Sequence, residues 1–186
     1  MSSPDTVGGD ERLRLFLGFR LPDAAAREIA AWERAELEVG RARIVPVENL
    51  HVTIAFLGSR PAGEKASIAG ALRESVQGVS EPVFEPKRYR ETRSVGMLVL
   101  DDEEGRGARI AEEAQRRLAE LGVYEPEQRP WLPHLTVVRF RERPRLRPSI
   151  PGVGRMKTSD AAVYMSRLRS TGAQYEVVES VPLGGG

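Results

Sequence analysis

Glu48-Asn49-Leu50-His51-Val52-Thr53-Ile54-Ala55-Phe56-Leu57-Gly58 and Trp131-Leu132-Pro133-His134-Leu135-Thr136-Val137-Val138-Arg139-Phe140 are the two stretches on which the fold turns. Each reads as a strand, and together they hold both histidines of the 186-residue chain. On a strand, residues two apart share a face. His51 and Thr53 therefore point one way, as do His134 and Thr136. Strict alternation sends Val52, Ile54 and Phe56, and Leu135 and Val137, to the opposite, packed face. Gly58 is expected to stop the first strand.

Outward from these stretches the chain repeats itself. An offset of 83 residues carries His51 onto His134, Thr53 onto Thr136, and Leu15 onto Leu98. Leu13 to Leu21 alternates as a strand, and the apolar spacing after Pro22 predicts a helix to about Val39. The same offset lays this helix on 107–120, where Ile110, Ala114, Leu118 and Leu121 mark an amphipathic helix over Arg106–Leu121, ended by Gly122. A further helix is expected over 63–76, extended or irregular chain over 82–93, and strands at 95–100, 161–168 and 175–182, the last two joined by a turn around Ser170-Thr171-Gly172. Each half thus reads strand, helix, then a strand bearing His-x-Thr. The expected fold class is α+β: two pseudo-symmetric lobes of antiparallel sheet with flanking helices around a central cleft. Residues 1–11 read as a flexible leader and 12–186 as a single bilobal domain.

Composition sets the outer bounds. Hydrophobic residues make up 40 % of the chain, enough for a core. No apolar run approaches the ~18 residues of a membrane span, and the leader lacks the basic and apolar regions of a signal peptide. With no cysteine there are neither disulfides nor thiolate metal sites. These features point to the cytoplasm. Net charge is only +1, yet 25 arginines stand against 3 lysines, and arginine forks onto phosphate where lysine cannot. They cluster at Lys87-Arg88-Tyr89-Arg90 with Arg93, and again at Arg139, Arg141, Arg143, Arg145 and Arg147. The segment 141–151, rich in Arg and Pro, is expected to be a solvated, mobile surface loop.

One histidine beside a threonine on a strand is ordinarily a structural residue. Two, at matching places in a repeat and using every histidine in the chain, point to acid–base chemistry. At one pH an imidazole can be neutral while its partner is charged. The first takes a proton from an attacking water and the second gives one to a leaving ribose oxygen. The threonine hydroxyls can donate to non-bridging phosphate oxygens. A two-histidine metal site would need a carboxylate or third histidine beside it, and neither strand offers one; no metal is expected. Weaker candidates surround the pair. Arg129 lies near the mouth of the expected cleft. Phe56 and Trp131 are aromatics able to stack on a base, although alternation favours the core for Phe56. Arg139 follows the second motif, and alternation turns it away from His134.

These residues resemble the two-histidine (2H) phosphoesterase superfamily, and within it the RNA 2′,3′-cyclic phosphodiesterases, historically called 2′-5′ RNA ligases. The resemblance runs from Arg14-Leu15-Phe16-Leu17 and Leu21-Pro22, through Val45-Pro46-Val47-Glu48-Asn49-Leu50-His51-Val52-Thr53, to Arg129-Pro130-Trp131-Leu132-Pro133-His134-Leu135-Thr136, Arg139 and the closing strand near Tyr175. It implies His51 and His134 as the catalytic pair, Thr53 and Thr136 as phosphate-binding, and no cofactor. Leu132 stands where the family often has a basic residue, leaving Arg129 to serve. The implied substrate is RNA ending in a 2′,3′-cyclic phosphate, tRNA halves included, handled by a monomer without a membrane partner. Two readings stay open beside it: a 2H phosphodiesterase acting on small cyclic phosphates or 2′-5′ oligonucleotides, and a module that binds RNA ends without turnover.

Overall fold

The computed structural model describes residues 11–170 and 172–184. All of the expected leader but Glu11 lies outside the described residues, as does Thr171 of the expected turn. The elements run β1 (Arg12–Arg20), α1 (Asp23–Glu36), β2 (Arg43–Ile44), β3 (His51–Pro61), α2 (Lys65–Ser75), β4 (Val83–Glu91), β5 (Val95–Asp102), α3 (Arg106–Glu120), β6 (His134–Arg139), β7 (Met156–Lys157), β8 (Asp160–Arg169) and β9 (Gly172–Pro182). The strands form one antiparallel sheet in the order β7-β4-β5-β6-β3-β1-β8-β9, with β2 added on β6. The 82–93 stretch, expected to be extended or irregular, is strand β4, its hydrogen bonds completed by β5 on one side and β7 on the other.

The sheet divides at its centre. Among the described residues β3 and β6 share a single ladder pair, Val52 opposite Leu135, which are partners under the 83-residue offset. A pseudo-twofold axis therefore passes through this pair. One lobe is β3, β1, β8 and β9; the other is β6, β5, β4 and β7. The outer strands are exchanged: β4, from the first half of the chain, borders β5, while β8, from the second half, borders β1. Where β3 and β6 part, their freed backbone groups find other partners, as buried polar groups must. Trp131 Nε1 donates to the Thr53 carbonyl at 2.9 Å and Gln115 Nε2 to the Ile54 carbonyl at 2.8 Å. On the other strand, Val45 N donates to Val137 O.

Apolar side chains on one face of the sheet meet the helices in a continuous core that includes Leu15, Leu17, Phe19, Leu98, Leu135 and Val137 with Ile29, Leu72, Ile110 and Leu118. The helix α3 presents Ile110, Ala114 and Leu118 to it at helical spacing. The Asp102 carboxylate accepts the Gly107 and Ala108 amides at 2.9 and 2.7 Å, satisfying the first turn. A smaller cluster on the other face, Phe16, Ala162 and Tyr164 with Tyr175, stands apart from this core.

Gly58 does not stop β3, which continues to Pro61. It adopts a positive φ of 68° beside a register shift against β1, so the glycine absorbs a bulge instead of ending the strand. The 141–151 loop is likewise not the free segment expected. The Glu91 carboxylate accepts Arg143 Nε and the Arg145 amide, both at 3.0 Å, and the Leu146 amide at 2.7 Å. Farther along, Ser149 donates to Glu36 and its carbonyl accepts Trp32 Nε1.

Glu33 on α1 is fully buried, and neither carboxyl oxygen has a hydrogen-bond partner among the described residues. Burial pushes this carboxyl from 4.5 up to about 9, against a smaller opposing pull from Arg34. It is therefore a neutral acid in the folded protein at pH 7. Because the folded value is the higher one, its contribution to stability is whole below 4.5 and is lost as pH rises toward 9. Glu33→Gln, neutral at every pH, is expected to remove this slope. Urea unfolding at pH 5 and pH 9 should show the variant gaining on the parent by on the order of a few kcal/mol across that interval. Parallel stabilities at the two pH values would mean that Glu33 is ionised in the fold.

Candidate active site

The two motif strands begin side by side and run antiparallel through the Val52–Leu135 pair. Extended by one residue each way, that register sets His51 opposite Thr136 and Thr53 opposite His134. The pseudo-twofold axis thus gathers all four polar side chains at the mouth of the split in the sheet, on the face away from the helices.

Both imidazoles are held by the same device. His51 Nδ1 lies 2.7 Å from the Asn49 carbonyl, and His134 Nδ1 lies 2.9 Å from the Leu132 carbonyl. A carbonyl only accepts, so Nδ1 must carry the proton in each ring. That fixes the tautomer and leaves Nε2 as the ring nitrogen with a free lone pair. The Thr53 hydroxyl sits 3.1 Å from His51 Nε2 and donates to it while the ring is neutral. Asn49 is itself secured, its Nδ2 donating to the Ala173 carbonyl of β9 at 2.8 Å. The hairpin of β8 and β9 therefore supports the turn that aims His51.

His51 is walled by aromatic rings: Phe16 at 4.7 Å between centroids, Tyr175 at 5.4 Å and Tyr164 at 5.7 Å. Gly18 makes this possible. A Cβ there would stand 3.0 Å from His51 Cδ2 and 3.1 Å from the Val52 carbonyl oxygen, closer than a rigid neighbour tolerates. Burial lowers the His51 pKa from 6.5 to about 4; the bond to Asn49 opposes the shift, and the charges of His134 and Arg139 add to it. His51 consequently rests neutral at physiological pH.

Strict alternation misplaces two residues, for one shared reason. Against β1 the ladder steps from Leu17–Ala55 to Gly18–Thr53, leaving Ile54 bulged; against β5 it steps from Gly96–Val138 to Met97–Thr136, leaving Val137 bulged. Ile54 and Val137 are equivalent under the 83-residue offset. Each bulge reverses the facing of the residues just after it, in β3 as far as the second shift beside Gly58. Phe56, expected in the core, is 53 % exposed and lies against Phe16 on the cleft face, ring centroids 5.3 Å apart. Arg139, expected to face away from His134, joins Thr136 on the cleft face and is close enough to His51 to bear on its charge. Trp131 and Arg129 are not brought to the histidines. Trp131 packs edgewise against Phe19 and at a tilt against Phe84 of the core, and Arg129 lines a hollow against Glu112 and Arg116 of α3. Sequence reasoning missed Asn49, Gly18 and the aromatic wall of Phe16, Tyr164 and Tyr175. The doubled apolar pairs Ile54-Ala55 and Val137-Val138, where alternation asks for one, were a usable signal for the bulges.

Among the described residues no three His, Asp or Glu side chains converge as a ligand set for a metal ion. No helix of the described chain is long and apolar enough to cross a membrane.

No family model matches the chain. It is 24 % identical over 175 residues to an RNA 2′,3′-cyclic phosphodiesterase of Methanocaldococcus jannaschii, covering 90 % of this chain and 99 % of that protein. It is 26 % identical over 132 residues to an Escherichia coli protein of the same name, covering 69 % and 73 %. In fold it is similar to the crystal structure of E. coli LigT complexed with 3′-AMP, with a TM-score of 0.77 at 20 % identity over 93 % of this chain and 99 % of that one.

Proposed function

We propose that this chain, a member of the two-histidine phosphoesterase superfamily, hydrolyses RNA 2′,3′-cyclic phosphate ends to 2′-phosphates by acid–base catalysis between His51 and His134. The observation that carries the proposal is the matched pair of imidazoles, each with Nδ1–H committed to a carbonyl two residues earlier and Nε2 left to exchange protons. A binding module has no need of two such poised groups.

Resting neutral, His51 suits the base. Its Nε2 takes a proton from water as the water oxygen attacks phosphorus. The P–O3′ bond breaks in line, and His134 Nε2 delivers a proton to O3′, leaving the phosphate on O2′. Thr53, its hydroxyl turned from His51 Nε2 onto the bound phosphate, and Thr136 donate to the non-bridging oxygens as charge gathers there. Arg139 adds a fixed positive charge on the same face, and Phe56 offers a ring on which the terminal base can stack. The ribose ring presents both ester oxygens already positioned, which lowers the ordering the site must supply. With a 5′-hydroxyl in place of the water, the same steps join two RNA halves through a 2′-5′ linkage. No metal or other cofactor takes part.

An oligoribonucleotide ending in a 2′,3′-cyclic phosphate, incubated with the protein in excess EDTA, tests this. The expected product is the 2′-phosphomonoester, formed at the same rate as without chelator. The rate should fall on the acid side only as pH drops toward about 4, where His51 gains its proton. Binding without turnover would favour the RNA-end module, and turnover confined to cyclic mononucleotides would favour the small-phosphate reading. Loss on chelation, restored by a divalent ion, would make the histidines metal ligands.

A further inference from the structure

The ladder register carries two arginines of β4 onto the cleft face. Val99 stands opposite His134 and Arg88 opposite Val99; Met97 stands opposite Thr136 and Arg90 opposite Met97. Directly opposed residues share a face, so two rows run outward from the second motif and each ends in a guanidinium. With strands about 4.8 Å apart, each arginine is rooted about 10 Å from its motif residue. Tyr89 between them turns to the other face, where its hydroxyl donates to Glu91. Lys87 is bulged out of the ladder and engaged by Asp101. Arg88 and Arg90 are exposed, and among the described residues neither has a carboxylate within ion-pairing distance, although the neighbouring Lys87 and the loop's Arg143 do. Both arginines stand on a strand whose end is tied down through Glu91.

The first lobe presents a different wall. Around His51 it packs the buried rings of Phe16 and Tyr164, and over them it presents the exposed ring of Phe56 and the half-buried ring of Tyr175. The pseudo-twofold axis therefore relates two walls of unlike chemistry, one of π faces and one of unpaired cations. Single-stranded nucleic acid asks for that combination: aromatic surfaces for bases and guanidinium forks for backbone phosphates.

We infer that Arg88 and Arg90 form a phosphate-binding row for the nucleotides preceding the cyclic end, so that the cleft is built for a single-stranded RNA chain. This rests on the reading of His51 and His134 as a phosphodiesterase pair. The row is rooted two strands out from the second motif, on the same face and in register with it. Its contacts would be to backbone, and so indifferent to sequence.

The test compares cytidine 2′,3′-cyclic phosphate with an RNA octamer ending in the same group, for the parent protein, Arg88→Ala/Arg90→Ala and Arg88→Lys/Arg90→Lys. For the alanine pair the ratio of kcat/KM, octamer over mononucleotide, should fall at least about tenfold at low salt. Fluorescence anisotropy with an octamer bearing a 3′-phosphate gives the salt dependence of binding. The log–log slope should shrink by about 1.4 for two lost single-strand phosphate contacts. The lysine pair, keeping both charges, should retain most of the slope. An unchanged ratio with an unchanged slope would overturn the inference, as would lysine variants as impaired as alanine ones. If the parent protein hydrolyses neither substrate, the phosphodiesterase reading fails, and the anisotropy series still decides whether the row binds RNA.

Discussion

His51→Ala and His134→Ala are each expected to lower turnover of a cyclic-phosphate-ended RNA by at least about a hundredfold, the scale on which a general acid or base contributes. Neither change should unfold the protein. Both side chains sit where the sheet opens to the cleft, outside the main core; His134 is tied by one bond to the Leu132 carbonyl, and His51 by its bond to Asn49 and its contacts with Phe16, Tyr164 and Tyr175. In the proposed mechanism the two act as a unit, so the double variant should be little worse than the poorer single one. Initial rates on purified, folded variants measure this. Near-parental turnover in either single variant would end the two-histidine mechanism. Additive losses in the double variant would mean that the residues work in separate steps.

The threonines should show the next largest effect. Valine nearly preserves the shape of threonine and suits a strand, so Thr53→Val and Thr136→Val remove a hydroxyl and little else. Each should cost on the order of 2–4 kcal/mol of transition-state stabilisation if its hydroxyl meets the developing charge on phosphate. Melting temperature should barely move, because both side chains lie at the cleft and outside the packed core. A preserved rate with a lowered melting temperature would recast them as structural. Thr53 has a second partner in His51 Nε2, and its loss therefore frees that imidazole as well as removing a donor to phosphate.

The doubled His-x-Thr was legible because it uses every histidine in the chain and recurs at a fixed offset that also superposes β1 on β5 and α1 on α3. Its geometry was only half legible. Alternation places His51 with Thr53 correctly, since nothing interrupts the ladder between them. Beyond Thr53 and Thr136 it fails, because one bulged residue inverts the phase, and Phe56 and Arg139 changed sides together for that reason. The groups that aim the imidazoles, the carbonyls of Asn49 and Leu132, belong to the backbone and leave no trace in residue type. The aromatic wall joins residues as distant as Phe16 and Tyr175, and the arginine row exists only through the register of three strands. Local patterns disclose neither. Glu91 follows the same rule: an acidic residue at the end of a basic strand has no mark of its own until a loop more than fifty residues later folds back onto it.

The exchange of outer strands governs how the chain must come together as it is made. Emerging from the ribosome, β1 meets β3 early, but the neighbour on its other side is β8: Leu15 pairs with Met165 and Phe16 with Tyr164. Until nearly the whole chain is available, one edge of β1 stands open, with the backbone groups that invite pairing with other molecules. The first half cannot finish its own sheet and wait for the second, as sequential domains do. Closure of the aromatic wall around His51, which draws Tyr164 and Tyr175 from those late strands, is therefore among the last events of assembly. A truncated or stalled chain can hold His51 and Thr53 on their strand while lacking the enclosure that keeps the imidazole neutral, so an incomplete product carries the motif without its setting.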